Sequence, residues 1–64
     1  MINALRKKYE AEVAAAKANI DVYINNPVGI GEHPDLVGAM DLEMTKLADA
    51  SDKLATLNSF YPET

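Results

Sequence analysis

The chain has no cysteine, no tryptophan and a single histidine, His33, among its 64 residues. Without cysteine, neither a disulfide framework nor a thiolate metal cluster can support a chain this close to the lower size limit for an independent core. One imidazole excludes any site that needs two from the same chain. Apolar runs are short as well. None approaches the roughly 18–20 residues of a membrane span, and Arg6, Lys7 and Lys8 lead into an alternating pattern rather than the apolar stretch of a secretion signal. Ile at position 2 excludes N-myristoylation. These absences predict a cytoplasmic chain with no membrane partner.

Positive charge is scarce too. The net charge is −4. Residues 1–25 carry four bases (Arg6, Lys7, Lys8, Lys17) against three acids, a balance of +1, and residues 26–64 carry Lys46 and Lys53 against seven acids, a balance of −5. An acidic chain whose one basic cluster spans three residues is poorly matched to a phosphate backbone, so nucleic acid is not an expected partner.

What the chain does have is helical periodicity. Ile2, Leu5, Tyr9, Val13, Ala16, Ile20 and Tyr23 recur at steps of three and four and share one face. A first helix is expected over about 3–25, with Asn3 as its N-cap and Asn25, Asn26 and Pro27 as its stop. A second is expected over about 34–60. Pro34 suits the first turn, and Met40, Leu47, Leu54 and Tyr61 recur every seventh residue, widened by Leu36, Val37, Met44, Ala50 and Leu57. Pro62 enforces its end, with Asn58 as a candidate stop and Phe60-Tyr61 folding back.

Two such helices joined by residues 26–33 predict an all-α, antiparallel two-helix hairpin as the one domain of residues 1–64. The expected neighbours are Ile20 with Met40, Ala16 with Met44, Val13 with Leu47, and Leu5 with Leu54. That register sets Arg6, Lys7 and Lys8 against Asp49 and Asp52. Glu43–Lys46 and Asp49–Lys53 are expected as surface pairs. A lone seam leaves part of each stripe uncovered, so a homo-oligomer is expected, with a homodimer closing into a four-helix bundle favoured. Leu42 is the misfit: it falls nearly opposite Met40 around the second helix, as a scattered surface leucine or as a second contact surface.

The connection is the least ordinary stretch. It spends Pro27, Val28, Gly29, Ile30, Gly31, Glu32, His33 and Pro34 ahead of Asp35, where a helical hairpin needs about 2–5 residues. Two readings stay open, a rigid apolar cap over the end of the bundle and a partner-recognition loop. Weak metal or small-ligand binding at residues 26–35 is a third, since Glu32, His33 and Asp35 are ligand types without a spacing signature. Gly29-x-Gly31 lacks the preceding strand and third glycine of a dinucleotide site. Ser51 has no histidine near it in the expected register, and the acids are spaced as solvated faces rather than as a convergent pair. No catalytic residue, cofactor or resident metal is assigned, and the chain is expected not to be an enzyme.

The run from Tyr23 to Asp35, Tyr-Ile-Asn-Asn-Pro-Val-Gly-Ile-Gly-Glu-His-Pro-Asp, lies between an alanine-rich helix and a second amphipathic helix. It resembles short uncharacterised helical-hairpin proteins of tailed, T4-like marine phages. The resemblance implies a viral accessory protein, in host cytoplasm or virion, and brings no functional residues to carry over. The expected function is a non-enzymatic protein–protein interaction module, with a minor structural virion component as the alternative.

Overall fold

A computed structural model of the chain describes residues 1–25 and 35–63. It consists of two α-helices, α1 (Ile2–Asn25) and α2 (Leu36–Phe60), packed side by side, and there is no strand among the described residues. Arg6, near the start of α1, bonds Asn58 and Tyr61 at the end of α2, so the helices run antiparallel. The molecule measures 46 × 16 × 15 Å, one helix pair across. No helix among the described residues is long and apolar enough to cross a membrane.

The seam on α1 runs through Tyr9, Val13, Ala16, Ile20 and Tyr23, at the steps of three and four that keep side chains on one face of a 3.6-residue helix. On α2 it runs through Leu36, Met40, Glu43, Leu47, Ala50, Leu54 and Leu57. The most enclosed apolar side chains are Ala16 and Ala50, each 3% exposed, with Leu57 and Ile20 close behind. Ala16 and Ala50 line the same groove, and small side chains at facing positions let two helix backbones approach.

Several expectations change here. Met44 and Val37 lie outside the seam, half-exposed and exposed, and the charged Glu43 occupies the position between Met40 and Leu47. The pairing is displaced by about one helical turn: Arg6 meets Asn58, where the expected register had placed Leu5 beside Leu54. Arg6, Lys7 and Lys8 are not set against Asp49 and Asp52 as a block. Arg6 turns to the end of α2, and Lys8 pairs with Glu12 on its own helix at 2.8 Å. Finally, α1 starts at Ile2, so Asn3 is inside it and its side chain accepts from Arg6 instead of capping.

α2 begins at Leu36, two residues later than expected, and Asp35 is its N-cap. Gly38 N–H donates to Asp35 Oδ1 at 2.7 Å, which satisfies one of the helix's orphan donors. A Cβ on residue 38 would stand 2.7 Å from Asp35 Cγ, so the capping carboxylate occupies space that only glycine leaves open. Asp35→Ala is expected to cost about 1 kcal/mol. Gly38→Ala alone should be near neutral, because its gain in helix propensity of ~0.5–1 kcal/mol is offset by displacing the cap. In the Asp35→Ala background the same change should be plainly stabilising, and urea titration of the four proteins would show the coupling. At the other end α2 runs past Asn58 to Phe60, and Tyr61 N–H closes it on Leu57 O at 2.7 Å.

Candidate functional site

The expected recognition residues Pro27, Val28, Gly29, Ile30, Gly31, Glu32, His33 and Pro34 lie outside the described residues. Asp35, the last of that set, has the capping role given above. Leu42 is 67% exposed on the flank of α2. Among the described residues no three His, Cys, Asp or Glu side chains are grouped to hold a metal ion.

The best-formed polar cluster is at the open end of the hairpin, where the start of α1 meets the end of α2. Arg6 is 4% exposed, the one charged side chain among the buried described residues. Its Nε donates to Asn58 Oδ1 at 2.8 Å, Nη1 donates to Asn3 Oδ1, and Nη2 donates to the Tyr61 carbonyl. All three acceptors are neutral. The charge is instead matched to the carbonyl end of α2, whose aligned peptides carry about half a negative charge there. α2 has no basic residue in its own last turn, and α1 supplies one across the seam.

Beside this clasp is an apolar groove of about 290 Å³, lined by Ile2, Leu5 and Tyr9 of α1 and by Leu57, Phe60 and Tyr61 at the end of α2, with Asp52, Lys53 and Thr56 on its α2 side. Phe60 is 71% exposed and Tyr61 59%, while Ile2 and Leu5 are partly covered. Lys53 Nζ lies 5.9 Å from the centre of the Tyr9 ring, and Lys8 Nζ lies 5.7 Å from it. Both distances stand near the outer limit of cation–π attraction. Hydrogen bonding to Glu12, reinforced by the attraction of its charge, holds the Lys8 ammonium above the ordinary lysine value.

A second groove, of about 330 Å³, continues along the same side. Ala15, Ala16 and Ala50 form its floor, and Glu12, Asn19, Glu43, Lys46, Asp49 and Lys53 its polar walls. Lys53 borders both grooves. Glu43 is peculiar among these walls: its side chain is 13% exposed, Oε1 reaches Lys46 Nζ only at 3.4 Å, and Oε2 is buried with no hydrogen-bond partner. Bases and acids alternate along these walls, an arrangement suited to pairing with another charged surface.

Arg6, Glu43 and Phe60 have surroundings that the sequence reading does not anticipate, although the expected Glu43–Lys46 pair forms at 3.4 Å. The signal for Phe60 was present: Leu42 and Phe60 stand 18 residues apart, about five full turns, and so share one line along α2. Comparison of the chain with protein-family models, with curated proteins and with solved structures found no match.

Proposed function

We propose that this chain is a non-enzymatic protein-interaction module that works as a homodimer, two hairpins closing into a four-helix bundle. The observation that carries the proposal is the poverty of the hairpin's own core. Among the described residues the buried apolar side chains are Ala16, Ile20, Ala50 and Leu57, and none is below 2% exposure. Val22, Ile24, Val37, Leu42, Met44 and Phe60 all remain about half-exposed or more.

Surface area supports the same reading. The chain exposes 4812 Å² at 7.0 kDa. A folded monomer of that mass is expected to expose about 4000 Å². The excess follows from the elongated shape of 46 × 16 × 15 Å, in which a single seam leaves the flanks of both helices uncovered.

Sedimentation equilibrium at micromolar concentration tests the proposal, together with thermal melts over a hundredfold range of concentration. A homodimer predicts twice the chain mass and a Tm that rises with concentration, because association stabilises the folded state by mass action. A monomer that melts cooperatively at a concentration-independent Tm would refute it.

A further inference from the structure

We infer that the two copies meet antiparallel along one flank of α2, the line of Leu42, Lys46, Asp49, Lys53, Thr56 and Phe60, with Leu42 of each copy seated in the open-end groove of the other. This inference rests on the homodimer reading and names the face, direction and pairing that it requires.

The residues of this flank are contiguous. Lys46, Asp49 and Lys53 wall the polar groove, while Lys53, Thr56 and Phe60 border the apolar one, so they follow one another along a single side of the hairpin. Leu42 continues the line one turn before Lys46. Its two ends are the apolar members, exposed at 67% for Leu42 and 71% for Phe60. An exposed leucine or phenylalanine alone means little. Two on one line, about 27 Å apart at ~1.5 Å per residue, with charges between them, form a patterned surface.

The pattern is self-complementary under one operation. A two-fold interface places the same patch on both copies, so that residue i meets residue j and j meets i. A two-fold axis at the level of Ser51, midway along the line, sets Leu42 against the other copy's Phe60. It sets Lys46 against Thr56 and Asp49 against Lys53. Each of these pairings occurs twice. No like charges are opposed, although the chain as a whole carries −4. Sliding the copies by one turn loses this, because it opposes Asp49 to Asp49 or Lys53 to Lys53. The groove of about 290 Å³ between Ile2, Leu5 and Phe60 receives an aliphatic side chain from the facing copy. Phe60 thereby gains cover that its own hairpin does not provide.

The absence of native cysteine makes the geometry directly readable. Leu42→Cys and Phe60→Cys proteins, mixed and oxidised, should give a disulfide dimer joining the two different variants. Each variant alone should remain uncrosslinked, because its two cysteines stand far apart at opposite ends of the interface. In parallel, Asp49→Lys should weaken the dimer by about tenfold or more, since it opposes a second ammonium to Lys53 of the other copy, and adding Lys53→Glu should restore it. Both positions are exposed, and helical circular dichroism would check that the variants fold. Crosslinking of Leu42→Cys to itself, or a dimer indifferent to Asp49→Lys, would overturn this face while leaving self-association standing. A wild-type chain that sediments as a monomer would overturn both.

Discussion

Replacing Arg6 by alanine should cost the hairpin about 2–4 kcal/mol and lower its Tm by ~10–25 °C at fixed concentration. The reason is the position of the side chain rather than its charge alone. The guanidinium is 4% exposed and joins three groups from three places: Asn3 within α1, Asn58 near the end of α2, and the Tyr61 carbonyl just past that end. A hydrogen bond involving a charged group contributes about 1.5–3 kcal/mol, and truncation also removes a packed aliphatic stem. Water can reach the open end and rehydrate part of what is freed, which keeps the loss below the sum of three such bonds. Lysine should recover little, since its three donors share one nitrogen and cannot reach the separate positions that Nε, Nη1 and Nη2 of the planar guanidinium serve. Asn58→Ala should cost less than Arg6→Ala, and the pair should be non-additive. Lys7→Ala, an exposed neighbour in the same basic run, should shift stability by no more than about 0.5 kcal/mol. Urea denaturation of these variants decides the matter: an Arg6→Ala protein as stable as Lys7→Ala would mean that the clasp contributes nothing.

Arg6 also shows where sequence reasoning reached its limit. The stripe on α1 could be read from Tyr9, Val13, Ala16, Ile20 and Tyr23 because burial on one helix face imposes steps of three and four. Leu36, Met40, Leu47, Ala50, Leu54 and Leu57 were legible on α2 for the same reason. Register was not, because a stripe with that spacing looks alike after sliding by one turn, and the contacts that distinguish the alternatives are individual. The Ala16 and Ala50 crossing and the Arg6 clasp depend on side-chain size and reach, which periodicity does not encode. Charge misled at two positions. Arg6 reads as surface, and Glu43 reads as surface while its neighbour Met44 reads as core. Adjacent residues differ by about 100° around a helix, so only the partner helix decides which of two border positions faces inward. In the candidate interface, Leu42 stood out as a misfit, but its counterpart Phe60 did not. Proximity to Pro62 made Phe60 look like part of a chain reversal, whereas α2 continues through it.

The second large effect is expected in the opposite direction. Glu43→Leu should raise stability by about 1–3 kcal/mol, equivalent to a Tm increase of ~4–8 °C per kcal/mol in a domain of this size. Glu43 stands in the seam between Met40 and Leu47, with its side chain 13% exposed, one oxygen 3.4 Å from Lys46 Nζ and the other buried without a hydrogen-bond partner. Lys46 is 68% exposed, so its ammonium is well hydrated and its pairing with Glu43 is weak. The seam therefore holds a buried acceptor oxygen without a donor. Leucine removes the orphaned oxygen and extends the apolar stripe without a gap. Glutamine removes only the charge and keeps a polar group in the same place, so Glu43→Gln should gain much less. The gain should come with a loss of discrimination, because a single polar residue on a packing seam commonly selects register and partner number at the expense of stability. Glu43→Leu is accordingly expected to broaden the distribution of species in sedimentation while raising the urea midpoint. A fall in stability on this substitution would overturn the reading of Glu43 as a poorly satisfied seam residue, and a fall confined to concentrations at which the chain associates would point to a donor for Oε2 from the second hairpin.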